Sequence, residues 1–131
     1  MKGINISEML KENDIKPSYQ RLKIYEYLIN NRTHPTVDEI YKALVVEIPT
    51  LSKTTVYNTL NLFVEKNIVL LITIDENETR YDADTSVHGH FRCRKCKKIY
   101  DFEISVECMD LKDFEVYTKN VYFDGICNKC L

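Results

Sequence analysis

A chain of 131 residues with 44% hydrophobic and 29% charged residues fits one compact domain or two small ones, and excludes a disordered or fibrous protein. Its formal charge of -2 provides no global attraction to nucleic acid, so any such contact must come from a local surface. The longest apolar run, Ile68 to Ile74, is too short to span a bilayer, and the start Met1-Lys2-Gly3-Ile4-Asn5 has no secretory hydrophobic region, so a cytoplasmic protein without membrane contact is expected.

Residues 1–83 read mainly as helix. Ser7 to Asn13 predicts a short first helix carrying Met9 and Leu10. After a break at Asp14 to Pro17, Ser18 can cap a stronger helix in which Leu22, Tyr25, Leu28 and Ile29 recur at helical spacing until Asn30-Asn31. Following His34-Pro35, Thr36-Val37-Asp38-Glu39 has the capping-box pattern and opens a third helix to about Val46. A loop through Pro49 leads to Ser52, a cap for a fourth helix with Val56, Leu60, Phe63 and Val64 on its buried stripe. Thr54, Asn58 and Asn61 lie opposite, flanked by Lys53 and Tyr57. A solubilising face usually mixes Glu and Lys, whereas short hydrogen-bonding side chains with one tyrosine and one lysine can reach base edges and phosphates.

The period then changes. Ile68 to Ile74 predicts a strand, Asp75-Glu76-Asn77-Glu78 a polar turn, and Thr79-Arg80-Tyr81-Asp82 the returning strand. Helix, turn, polar-faced helix and hairpin in that order predict a winged helix-turn-helix whose fourth helix enters the major groove. Ala83 to Val87 is small and polar and predicts a hinge, which places the boundary between residues 1–83 and 84–131. In the second part Lys98 to Ile104 alternates as a strand, Val106 to Asp113 predicts a helix of two turns, and Phe114 to Phe123 reads as a strand that Gly125 ends. The fold class is α+β.

Five cysteines in a cytosolic chain point to metal or redox chemistry rather than disulfides. Cys93-x-x-Cys96 and Cys127-x-x-Cys130, thirty residues apart, offer four thiolates in two knuckles, the donor set of a structural zinc. A redox dithiol needs only one pair, in a thioredoxin-like setting that the pattern lacks. Zinc here would close a domain too small to be stable on its core alone. Cys108 stands apart and reads as a small buried apolar side chain.

His88 and His90, two apart on a strand, present both imidazoles on one face, and Asp101 projects from the next strand. Asp82 before the hinge and His34 before the third helix are further N/O donors, which spacing alone does not place with that pair. Mixed imidazole and carboxylate donors suit iron, manganese or zinc.

Four segments together resemble the ferric uptake regulator (Fur) family of metal-dependent repressors over nearly the whole chain. They are Pro17-Ser18-Tyr19-Gln20-Arg21, His34-Pro35-Thr36 with Asp38 and Ile40-Tyr41, Ser52-x-x-Thr55-Val56-Tyr57-x-x-Leu60, and His88-x-His90-x-x-Cys93-x-x-Cys96. The resemblance implies a winged-helix DNA-binding domain joined to a small β-rich dimerisation domain. It also implies one structural zinc per chain on Cys93, Cys96, Cys127 and Cys130, and a regulatory Fe(II) or Mn(II) on His34, Asp82, His88, His90 and Asp101. Aspartate at 101, where iron-sensing members more often carry glutamate, resembles the peroxide-sensing PerR branch.

The chain departs from the family pattern in three ways. The segment between Phe102 and Gly125 is short for a dimerisation region, no histidine follows His90 to build the third metal site of some members, and residues 1–84 hold ten Lys or Arg against thirteen Asp or Glu. The expected protein is a homodimeric repressor on a palindromic operator in double-stranded DNA, with no small organic substrate. Lys53, Thr54, Tyr57 and Asn61 are expected to contact DNA, and Arg21 its backbone. Peroxide is the expected signal; sensing of iron, manganese or zinc without peroxide is the alternative in the same class, and a metallohydrolase the alternative outside it.

Overall fold

The computed structural model of the chain describes residues 5–74, 78–86, 88–117 and 119–131. The expected turn at 75–77, Val87 of the expected hinge, Thr118 of the expected strand and the first four residues lie outside the described residues. The backbone divides into two units, Met1–Thr85 and Ser86–Leu131.

In the first unit every helix begins on a side-chain cap. Helix α1 (Ile6–Glu12) starts one residue before its expected position because Asn5 accepts the Glu8 backbone N–H at 3.1 Å. Ser18 caps α2 (Tyr19–Asn30), and Ser52 caps α4 (Lys53–Glu65) by accepting the Thr55 N–H at 3.0 Å. At α3 (Val37–Leu44) the box is reciprocal: Thr36 Oγ1 accepts the Glu39 N–H at 3.2 Å, and Glu39 Oε1 accepts the Thr36 N–H at 3.4 Å. Each cap contributes about 1 kcal/mol by satisfying amides that the helix itself leaves open.

The helices bury Leu10, Ile24, Leu28, Ile40, Val56, Leu60 and Phe63 in one core, with Tyr25 set edge-on to Phe63. Ile24 lies deeper than Leu22, which is only half-buried, so the buried line of α2 is rotated from the one expected. At the end of α4, Asn67 takes a left-handed φ of 62° and Ile68 N–H returns to the Phe63 carbonyl. That turn uses Ile68 and Val69 as core residues and shortens the next strand to β1 (Leu70–Ile72), which pairs antiparallel with β2 (Arg80–Asp82). Four helices and a hairpin make a winged-helix unit. Among the described residues no helix is long and apolar enough to cross a membrane.

The second unit is a three-stranded sheet in the order β4-β3-β5. Strand β3 (His88–Cys93) pairs antiparallel with β4 (Ile99–Glu103) and parallel with β5 (Tyr122–Gly125). Two expectations fail here. The two-turn helix over 106–113 is reduced to one 3₁₀ turn at Met109–Leu111, and the strand expected from Phe114 begins only at Tyr122. Residues Val106, Met109, Leu111, Phe114, Val116 and Tyr117 are all exposed, so no packed face stabilises a short helix there. Cys108 is likewise exposed rather than buried, because the segment it belongs to lies outside the core.

Gly89 faces Phe102 across the β3–β4 register, and a Cβ at Gly89 would stand 2.3 Å from that ring's tip. Phe102 in turn packs on Phe123 with ring centroids 5.0 Å apart, linking both outer strands across the glycine. Gly89→Ala is therefore expected to destabilise the second unit by about 1–3 kcal/mol, as overpacking does. A thermal midpoint equal to that of the parent protein would show that Phe102 swings aside freely.

Candidate metal centres and nucleic-acid interface

Sheet topology assembles the cysteines. Cys93 ends β3, and the turn after it, with Lys97 at a left-handed φ of 66°, brings up Cys96. The parallel register sets Gly125 beside Cys93, and the Arg94 N–H donates to the Gly125 carbonyl at 2.7 Å, so the second knuckle starts next to the first. All four sulfurs lie within 4.8 Å of one another, and Cys96 Sγ is 3.9 Å from Cys127 Sγ. A zinc tetrahedron with Zn–S bonds of about 2.3 Å has edges of about 3.8 Å, so the donor set fits.

The protein also supplies charge stabilisation. Cys93 Sγ accepts the Cys127 and Cys96 backbone N–H groups, both at 3.4 Å, and these draw its thiol down to about 6. The Tyr100 hydroxyl lowers the Cys127 thiol; that contact, followed by burial, pushes Tyr100 up to about 12. Cys130, sharing its site first with Cys127, is also pushed up to about 12. A cation would displace the protons that remain, Cys130's above all, and since four thiolates leave a tetrahedral zinc no open position, a zinc held here would be structural.

At the other end of β3 the alternation puts His88 and His90 on one face, with ring centroids 4.5 Å apart. Asp101 stands directly opposite His90 in the register. Its Oδ1 lies 3.6 Å from His88 Nε2 and 3.3 Å from His90 Nε2. His88 Nδ1 is 2.7 Å from the Ser86 carbonyl, a contact that favours a proton on Nδ1 and leaves Nε2 as a lone-pair donor. Ser86 carries no side-chain signal for this role, since it acts through its backbone oxygen.

The first unit holds a second pair. His34 Nε2 lies 3.5 Å from Asp82 Oδ2, and both side chains are about 95% covered. Asp82 Oδ1 accepts the Asp84 N–H at 2.9 Å, which fixes the carboxylate. His34 has a left-handed φ of 57° immediately before Pro35. A non-glycine residue held there costs about 1–3 kcal/mol and persists only where its surroundings impose it. Each unit thus offers imidazole and carboxylate donors, buried at His34, Asp82 and His90 and exposed at Asp101, and such donors suit Fe(II), Mn(II) or Zn(II).

The outward face of α4 carries Lys53, Thr54, Tyr57, Asn58 and Asn61, all exposed, while Val56, Thr59, Leu60 and Phe63 face the core. Lys53 Nζ lies 2.7 Å from Asp38 Oδ1 and Lys42 Nζ 2.9 Å from Asp38 Oδ2, and the two ammonium groups, Lys53 first, hold the Asp38 carboxyl below the usual carboxylate range. Arg21 Nη1 donates to the Lys16 carbonyl at 2.7 Å, ahead of α2.

The sequence model of the Ferric uptake regulator family matches residues 12–114. The peroxide operon regulator of Bacillus subtilis (strain 168) is 38% identical over 129 residues, covering 94% of this chain and 89% of that protein. The chain belongs to the ferric uptake regulator family. Another similar family member, the peroxide-responsive repressor PerR of Staphylococcus aureus (strain Mu50), is 37% identical over 92% of this chain and 86% of its own length. The solved PerR of Streptococcus pyogenes aligns with a TM-score of 0.57 and 32% identity over 97% of this chain and 91% of that one. The Pseudomonas aeruginosa ferric uptake regulator with manganese has a TM-score of 0.75 at 20% identity over 95% and 99%, and supports the fold alone. Ferric uptake regulators bind DNA and act as dimers. The metallohydrolase alternative falls away, since the matched proteins are regulators and repressors rather than enzymes.

Replacing Cys96 with serine is expected to abolish the one zinc per chain. Amide hydrogen exchange should then rise across residues 88–103 and 122–130 while the caps and core of the first unit stay protected. Retention of zinc by the variant would place the metal elsewhere.

Proposed function

We propose that this chain is a metal-dependent repressor that binds a palindromic operator as a homodimer and lets go when peroxide oxidises a ligand histidine. The observation that carries the reading is the paired clusters. His34 and Asp82 belong to the unit with the polar-faced helix, and His88, His90 and Asp101 to the unit with the zinc knuckles. A cation shared by all five would tie the placement of α4 to occupancy of the site, and ligands shift an equilibrium only by such differential affinity. The peroxide-related names of the relatives at 37–38% identity support the choice of signal.

Each residue group then has a task. Thr54, Tyr57 and Asn61 read base edges, while Lys53 and Arg21 neutralise phosphates. Lys53 must exchange Asp38 for phosphate, a modest cost because exposed ion pairs are weak. The exposed row Met109, Phe114, Val116 and Tyr117 offers apolar surface for a second copy to cover. Bound Fe(II) supplies the redox chemistry with which peroxide oxidises an adjacent imidazole, at His34 or His88; Mn(II) does not. An oxidised imidazole donates poorly, so the two units lose their common tie and the paired helices lose the spacing of the operator half-sites.

His34→Ala is expected to abolish metal-dependent operator binding while zinc stays at one per chain; retained binding would refute the five-ligand site. Peroxide should release operator from the Fe(II)-loaded protein and leave the Mn(II)-loaded protein bound, whereas indifference of both forms would favour plain metal sensing. Lys53→Ala should weaken binding to all sequences alike and reduce the salt slope by about one.

A further inference from the structure

We propose that Arg80 is the positioning residue for His34, fixing the strained backbone that aims this imidazole at the regulatory metal. The inference rests on the metal-site reading given above and adds to it a residue that touches no metal.

The hold is made by three consecutive residues of β2. Arg80 Nη1 donates to the His34 carbonyl at 3.0 Å, the Tyr81 N–H donates to the Pro35 carbonyl at 3.0 Å, and Asp82 Oδ2 faces the His34 ring at 3.5 Å. On a strand, residues two apart share a face, so Arg80 and Asp82 reach the same loop from the same side while the Tyr81 ring is buried in the core. The loop is thus read at two successive carbonyls and one side chain. A left-handed non-glycine residue ahead of a proline needs such over-determination, because its own local preferences lie elsewhere.

Arginine suits this place better than lysine. Its guanidinium is planar, with several N–H donors in a fixed fork, and its side chain is only 18% exposed. Nη1 also lies 3.5 Å from Glu39 Oε1, the oxygen that closes the capping box on Thr36, and Nη2 lies 3.6 Å from Glu78 Oε2. One side chain therefore joins the wing strand, the His34 carbonyl and the first turn of α3. Tyr81 can keep the loop near β2 without it, whereas Arg80 acts on the carbonyl of His34 itself.

The test uses the full-length, zinc-loaded protein and Mn(II) alone as the probe, with affinity taken from the loss of the free Mn(II) electron paramagnetic resonance signal. Arg80→Gln is expected to weaken Mn(II) binding at least tenfold, with zinc content unchanged and a thermal midpoint, measured without Mn(II), near that of the parent. Arg80→Lys, which keeps one donor and the charge, should recover part of the loss. A purely structural Arg80 would lower the midpoint and leave Mn(II) affinity, measured well below that midpoint, as in the parent; that result would overturn the proposal. If Arg80→Gln does not fold, Arg80→Lys decides: threefold or greater weakening supports the role and parent-like affinity overturns it. His34→Ala separates the two readings. Mn(II) binding unchanged in His34→Ala overturns the metal site and this proposal with it, whereas loss in His34→Ala with parent-like Arg80 variants overturns only the role of Arg80.

Discussion

Strand β3 is the constraint on which the second unit depends. Its last residue is Cys93 and its first and third are His88 and His90, so a single extended segment carries donors of both candidate metal centres. The tetrathiolate fixes one end by binding the turn after β3 to the knuckle after β5. With that end fixed, the pleat determines everything upstream: both imidazoles on one face, glycine on the other, and Asp101 opposite His90. A one-residue slip would put either His88 or His90 where Gly89 now lies against Phe102, and the ring has no room for an imidazole there.

The first unit reaches a comparable result by other means. No cross-link holds it; a core of aliphatic and aromatic side chains and four capped helices do. Its candidate ligand pair includes a strained position, the left-handed His34 between a helix end and a proline. Strain there is tolerable because β2 satisfies the loop's carbonyls and the capping box anchors its far side. The same short segment therefore ends one helix, starts another and presents an imidazole.

Features that depend on short-range chemistry were legible in the sequence. Ser18, Thr36 and Ser52 marked helix starts because a cap acts over three residues, and the paired Cys-x-x-Cys spacing marked the knuckles because a turn of that length places two sulfurs on one ion. The polar face of α4 followed from its period. What composition and spacing left unplaced depends on distant partners. His34 and Asp82 are 48 positions apart and were assigned only through the family resemblance. Val106, Met109, Leu111, Phe114, Val116 and Tyr117 stand at suggestive intervals, yet all six are exposed among the described residues, and the local pattern could not show that. Arg80 looked like an ordinary polar strand residue, because its value lies in a carbonyl 46 residues away.

The parallel pairing of β5 with β3 bears on how the unit assembles. Strand β4 ends where β5 begins, since Glu103 stands opposite His88 and Tyr122 opposite His90, so the connection between them has to pass from one side of β3 to the other. The β3–β4 hairpin is local and carries Cys93 and Cys96. Pairing of β5 must in addition close the thirty residues between the two knuckles, which costs loop entropy. A zinc held by the first two thiolates would offer the second pair a target and so offset that cost. Scarcity of zinc would therefore act on newly made chains, stalling them as hairpins with their apolar segment uncovered, more than on molecules already complete.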